Sequence, residues 1–173
     1  MGAAAAQAPL KIVRSRESRV PSGPARAIVE NLRTRKSACF RVTGRSMWPA
    51  LRRGDLVFAK ALSMDRISTG QIVAFEREER VFVHRVLWRR NACETKLGVA
   101  ALKTKGDTLN GPDPLISTCE YLGCVIRVHR GRRHIDMQSL GHRVAGAVMA
   151  AISPASRIVF GPVRALRAIL RSR

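Results

Sequence analysis

Short apolar runs recur between polar turns along the middle of this chain: Leu56-Val57-Phe58-Ala59, Ile72-Val73-Ala74-Phe75, Val81 to Leu87, and Tyr121 to Val128. They are rich in β-branched and aromatic residues, and each is bounded by a turn signal, so they read as buried strands. Arg53-Gly54-Asp55 and Gly70-Gln71 are two such signals, and Glu76 to Arg80 reads as a charged hairpin tip. Phe40-Arg41-Val42-Thr43 alternates in the same way, and Cys93 to Leu102 predicts one or two further strands. A polar loop runs from Lys105-Gly106-Asp107 to Gly111-Pro112-Asp113-Pro114. The expectation is a mainly β fold, a coiled antiparallel sheet of barrel-like or sandwich form.

Around that core the chain divides further. Residues 1–23 are Ala-rich, then basic from Lys11 to Arg19, and close on Pro21-Ser22-Gly23-Pro24, which predicts a flexible basic arm. Residues 24–38 predict a short helix, with Ser22 or Gly23 as cap and Ala27, Ile28 and Leu32 on one side. The core takes 39–128, and 129–173 reads as a basic tail with amphipathic helices. In that tail Val144 to Ile152 is apolar, Pro154 interrupts, and Arg164, Arg167 and Arg171 share a helical face opposite Val163, Leu166, Ile169 and Leu170.

Charge is unevenly spread. The net charge is +20, yet residues 61–126 hold 9 Lys/Arg against 8 Asp/Glu, while 1–60 hold 13 against 3 and 127–173 hold 10 against 1. Basic ends attract nucleic acid or anionic lipid. Aromatic residues are only 5%, with no stacking stripe and no helix-turn-helix or finger spacing, so no specific nucleic-acid partner is expected. A basic amphipathic tail suits the plane of an anionic membrane, which makes peripheral membrane association the expected location; a tail packed on the core would make it cytoplasmic. No run of 18 apolar residues, secretory signal or myristoylation pattern is evident. Cys39, Cys93, Cys119 and Cys124 lack zinc-site spacing, so no metal is expected; they read as reduced and mostly buried, with a Cys119–Cys124 disulfide the less favoured alternative. No cofactor is implied.

Ser46 is the candidate nucleophile. It follows Gly44, where the backbone can bend, and precedes Met47-Trp48, an apolar pair fixed by Pro49. That order places a hydroxyl on a turn, with Gly44, Met47 and Trp48 as a substrate-binding wall. A serine hydroxyl needs a base and nearby oxyanion donors before it can attack a carbonyl. His84, within the strand Val81 to Leu87, is the candidate base, whereas His129, His134 and His142 have no acidic partner and read as surface residues.

Four blocks carry the rest: Gly44-Arg45-Ser46-Met47-Trp48-Pro49-Ala50-Leu51-Arg52-Arg53-Gly54-Asp55, Gly70-Gln71-Ile72-Val73-Ala74-Phe75, Val83-His84-Arg85-Val86, and Thr104-Lys105-Gly106-Asp107 with Asp113 beyond. In this order they resemble the signal peptidase I family over roughly residues 40–126. The likeness is to its archaeal and endoplasmic-reticulum branch, which has His where the bacterial branch has Lys. The Gly-x-Ser-Met spelling is also similar to self-cleaving repressors and mitochondrial inner-membrane peptidases. The resemblance implies Ser46 as nucleophile, His84 as general base and acid, and one of Asp113 and Asp107 as the orienting carboxylate, with Asp113 preferred. Gly44 stands where many signal peptidases carry an oxyanion-stabilising Ser, so the hole would rest on the Ser46 N–H and other backbone donors. The implied function is a serine endopeptidase acting on signal or leader peptides of precursor proteins. The alternatives are a soluble processing protease for one small precursor peptide, and a self-cleaving or degenerate regulatory module.

Overall fold

The computed structural model describes residues 23–91 and 100–152. The basic arm before Gly23, the strand reading of 92–99 and the Arg-striped segment after Pro154 lie outside the described residues. Helix α1 spans Pro24–Thr34, with Gly23 as N-cap. Proline at the first helical position loses no hydrogen bond there, because that N–H would be unpaired anyway. The buried face is Val29 and Leu32 with Ile28 beside them, so Val29 takes the place expected for Ala27.

The strands are β1 (Ser37–Arg41), β2 (Leu56–Lys60), β3 (Ile72–Arg77), β4 (Arg80–Arg90), β5 (Ala101–Lys105), β6 (Ile116–Ser117), β7 (Tyr121–Arg130) and β8 (Arg133–Asp136). They form one antiparallel sheet in the order β1-β2-β7-β3-β4-β5-β6, with β8 also paired to β7. The path is open, so the mainly β expectation holds without barrel closure. Register shifts interrupt the ladders at Phe58/Ala59, Ala74/Phe75 and Val86/Trp88. Such irregularities increase twist locally and bend a sheet on itself.

The apolar runs do not alternate because both faces are covered. Val73, Phe75, Val86, Leu102, Ile116 and Cys124 share one cluster with Met64 and Ile67. On the other face Ala74 and Leu122 pack under α1, while Ile72, Val125 and Val128 pack with Met47 and Leu51. Neighbours such as Val73 and Ala74 therefore serve opposite layers, as the two-residue period of a strand requires.

Strand β7 is the seam of the molecule. It pairs with β2 along Cys124 to His129, with β3 along Tyr121 to Cys124, and with β8 along Arg127 to Arg130. The sheet thus continues past the expected core boundary at residue 128. His129 and His134 lie opposite each other across β7 and β8, their ring nitrogens 2.7 Å apart. Helix α2 (Leu140–Ile152) follows and buries Gly146 and Ala150. It approaches Gly70 closely: a Cβ on Gly70 would lie 2.3 Å from the Ala147 nitrogen, and Gly70 has φ +89°. No helix among the described residues is long and apolar enough to cross a membrane. Of the three described cysteines, Cys124 is buried, while Cys39 and Cys119 are exposed free thiols, contrary to the expectation of mostly buried ones.

Candidate active site

The turn carrying Ser46 is rooted rather than loose. Trp48 N–H donates to the Arg45 carbonyl at 3.2 Å, and Leu51 N–H to the Met47 carbonyl at 2.8 Å. Met47 and Leu51 are only 2% and 1% exposed, so they anchor the turn in the core while Ser46 stays half-buried. Asp55 holds the far end: its Oδ2 accepts from Arg52 N–H at 2.8 Å and from Arg130 Nη2 at 2.7 Å. The same Arg130 Nη2 donates to the Ala50 carbonyl at 2.9 Å, tying the turn to β7. Burial pushes the Asp55 carboxyl up, but Arg130 and the Arg52 amide outweigh it and hold the group below the usual carboxylate range. On the opposite side, Thr108 N–H donates to the Ser46 carbonyl at 2.9 Å.

His84 lies on β4 and is 4% exposed. Its ring meets Phe75 edge-on, with centroids 5.8 Å apart. Nδ1 stands 2.7 Å from Asp113 Oδ2, and Nε2 stands 3.1 Å from Ser46 Oγ. With the ring proton on Nδ1 and donated to the carboxylate, Nε2 is the acceptor for the serine O–H. An imidazole held in that tautomer can take the hydroxyl proton and return it later, and the carboxylate stabilises the cation in between.

Asp113 is fixed by β5. Thr104 Oγ1 donates to its Oδ2 at 2.6 Å, and its own N–H donates to the Thr104 carbonyl at 2.8 Å. Arg77 grips the chain two residues on, donating to the Leu115 carbonyl at 3.0 Å while paired with Glu120 at 2.7 Å. Burial raises the Asp113 carboxyl, but the hydrogen bonds from His84 and Thr104 and the nearby charge of Arg77 prevail and hold it below the ordinary range.

Asp107 goes elsewhere. Arg85 Nε and Nη2 donate to its two oxygens at 2.8 and 2.7 Å, and Arg85 Nη1 donates to the Gly70 carbonyl at 2.9 Å. Both side chains of this pair are buried, at 5% and 1% exposure. Adjacent residues of β4 point to opposite faces, so His84 and Arg85 draw on different carboxylates of one loop. Gly106 sits between these contacts: a Cβ there would come within 3.0 Å of the Ser46 Cβ and 2.9 Å of Leu109.

The structure therefore brings Ser46, His84 and Asp113 together and leaves Asp107 with Arg85. Met47 differs from the expectation of a substrate-facing side chain, because it is spent on the core. Trp48 is 41% exposed beside the serine. Gly44 is exposed, with no positive φ and open space where a Cβ would stand, so nothing local demands glycine. The Ser46 N–H, the expected oxyanion donor, makes no hydrogen bond to protein among the described residues. Thr104, Arg77, Arg85 and Arg130 were not legible as supporting residues; Thr104 and Arg85 stand within the four blocks but carry no role there, and Arg77 and Arg130 have no signal at all. No group of three or more His, Cys, Asp or Glu among the described residues is placed to hold a metal ion.

The family model described as Peptidase S24-like matches residues 1–126, a span that includes all three residues. No match was found among curated proteins.

Proposed function

The chain belongs to the Peptidase S24-like family, and on that footing we propose a serine endopeptidase that removes signal or leader sequences from precursor proteins. Ser46 is the nucleophile, His84 the general base and acid, and Asp113 the carboxylate that orients the ring. The observation that carries the reading is the pair of contacts made by one buried imidazole, to Asp113 on one nitrogen and to Ser46 on the other. Ser46 Oγ attacks the scissile carbonyl carbon as its proton passes to His84 Nε2, giving a tetrahedral oxyanion within reach of the Ser46 N–H. The imidazolium then protonates the leaving amine as the C–N bond breaks, leaving an ester on Ser46. Water, deprotonated by His84, hydrolyses that ester and restores the hydroxyl.

Self-cleavage is the second reading, favoured by the family match, whose span extends over the basic arm. One experiment tests both. The protein is incubated with leader-bearing peptides while the peptide products and the mass of the chain itself are followed. Ser46→Ala and His84→Ala should each lose at least about a thousandfold in turnover, and the double variant should be no worse, since triad members act as a unit. Normal cutting by both single variants would overturn the assignment. A chain that cleaves itself at a rate independent of its concentration, and leaves every peptide intact, would make the second reading the right one.

A further inference from the structure

Helix α2 breaks the usual rule for a surface helix. Its small residues face inward: Gly146 and Ala150 are buried, and Gly146 lies against the Gly70 carbonyl. Its large residues face out, with Leu140, Val144, Val148 and Ile152 exposed by 78, 56, 51 and 46%. They recur every fourth residue, so they form one continuous ridge along the outer side. A helix apolar on both faces is normally covered on both.

We propose that this ridge is a docking surface for an anionic lipid bilayer, lying flat in the interface with α2 parallel to the membrane plane. A straight, convex row of aliphatic side chains offers no groove for a shape-matched partner, but it inserts readily between acyl chains. The charge around it fits the same occupant. Helix α2 contains Arg143 and no carboxylate, and the described residues 127–152 hold 5 Lys/Arg against 1 Asp/Glu. Aliphatic insertion and attraction to anionic headgroups are the two contributions that together give lasting attachment. A second copy of the chain is a poor occupant, because it would set two equally basic ends face to face in a molecule of net charge +20. The proposal is independent of the peptidase reading and needs no turnover to be tested.

The test uses the full chain with sedimenting vesicles of phosphatidylcholine alone or with about one third phosphatidylglycerol. Wild type should sediment with the anionic vesicles and remain largely in the supernatant with the zwitterionic ones. The variant Val144→Glu/Val148→Glu, altered only at exposed positions, should bind the anionic vesicles at least tenfold more weakly. Unchanged circular dichroism and an unchanged urea-unfolding midpoint would show that it is folded. Undiminished binding by that variant would overturn the proposal, since charge alone would then suffice. Failure of wild type to bind would do so as well. So would a wild-type dimer that the variant converts to monomer, which would make the ridge an interface between copies.

Discussion

Asparagine at position 113 and asparagine at position 107 should damage the protein in different ways, because the two carboxylates do different work. Asp113→Asn would present an amide N–H to His84 Nδ1 and favour the tautomer with its proton on Nε2, which cannot accept from Ser46. Turnover should fall by about four orders of magnitude, far more than any lowering of the unfolding midpoint accounts for. Asp107→Asn instead leaves the Arg85 guanidinium buried without its counter-charge. That should cost roughly 3–5 kcal/mol in urea unfolding, while any folded fraction keeps the wild-type pH profile. The depressed carboxyl of Asp113 also sets a direction for acid stability. Its ionised contacts contribute fully above the ordinary carboxylate range and are lost as pH falls through the lowered folded value. Thr104→Val removes one of the hydrogen bonds holding that value down, so in unfolding curves taken between about pH 2 and 5 the loss should be smaller and be complete at higher pH. Ser46 and His84 were legible in the sequence because each sits in a distinctive block. The choice between the aspartates was not, since both lie on one loop and only the opposed directions of His84 and Arg85 separate them. Met47 was misread for a related reason: in a tight turn, the residue after an outward-facing serine points inward.

Among the elements, the β3–β4 hairpin is held together against its own local preference. Glu78 and Glu79 at its tip have φ of 51° and 61°, a conformation that favours Asn and Gly over glutamate. Glu78→Asn/Glu79→Gly should therefore stabilise the protein by about 1 kcal/mol in thermal or urea unfolding and leave cleavage unchanged. Strands β3, β4 and β7 were readable because burial on both faces makes each a nearly continuous apolar run, whereas β2 buries only Val57 and Ala59 and was readable from its apolar composition. Strand β8 was not, since Arg133-His134-Ile135-Asp136 contains one apolar residue and is largely exposed. It owes its conformation to the edge of β7 and not to its composition. Arg130 was hidden for the same reason, one arginine among several until its carboxylate partner on the β2 side became visible.

For the molecule as a whole, a net charge of +20 is a standing source of self-repulsion. The ion pairs Arg85–Asp107 and Arg130–Asp55 each have a carboxylate that is nearly fully buried, so salt screens them less than it screens the basic ends. Raising sodium chloride from about 10 to about 200 mM should increase the melting temperature by at least about 2 °C; a decrease would mean that attraction dominates. The open sheet has one further consequence, which concerns time. The segment bearing Ser46 belongs to the β1–β2 hairpin, His84 belongs to the β3–β4 hairpin, and β7 stands between them in the sheet. While the chain is being made, at about 5–20 residues per second, both hairpins leave the ribosome well before β7 does. Until β7 slots in, the two hairpins lack the strand that joins them in the sheet. On the proposed function, a chain released before β7 is complete should therefore show no cleavage, and truncation before Tyr121 should abolish turnover.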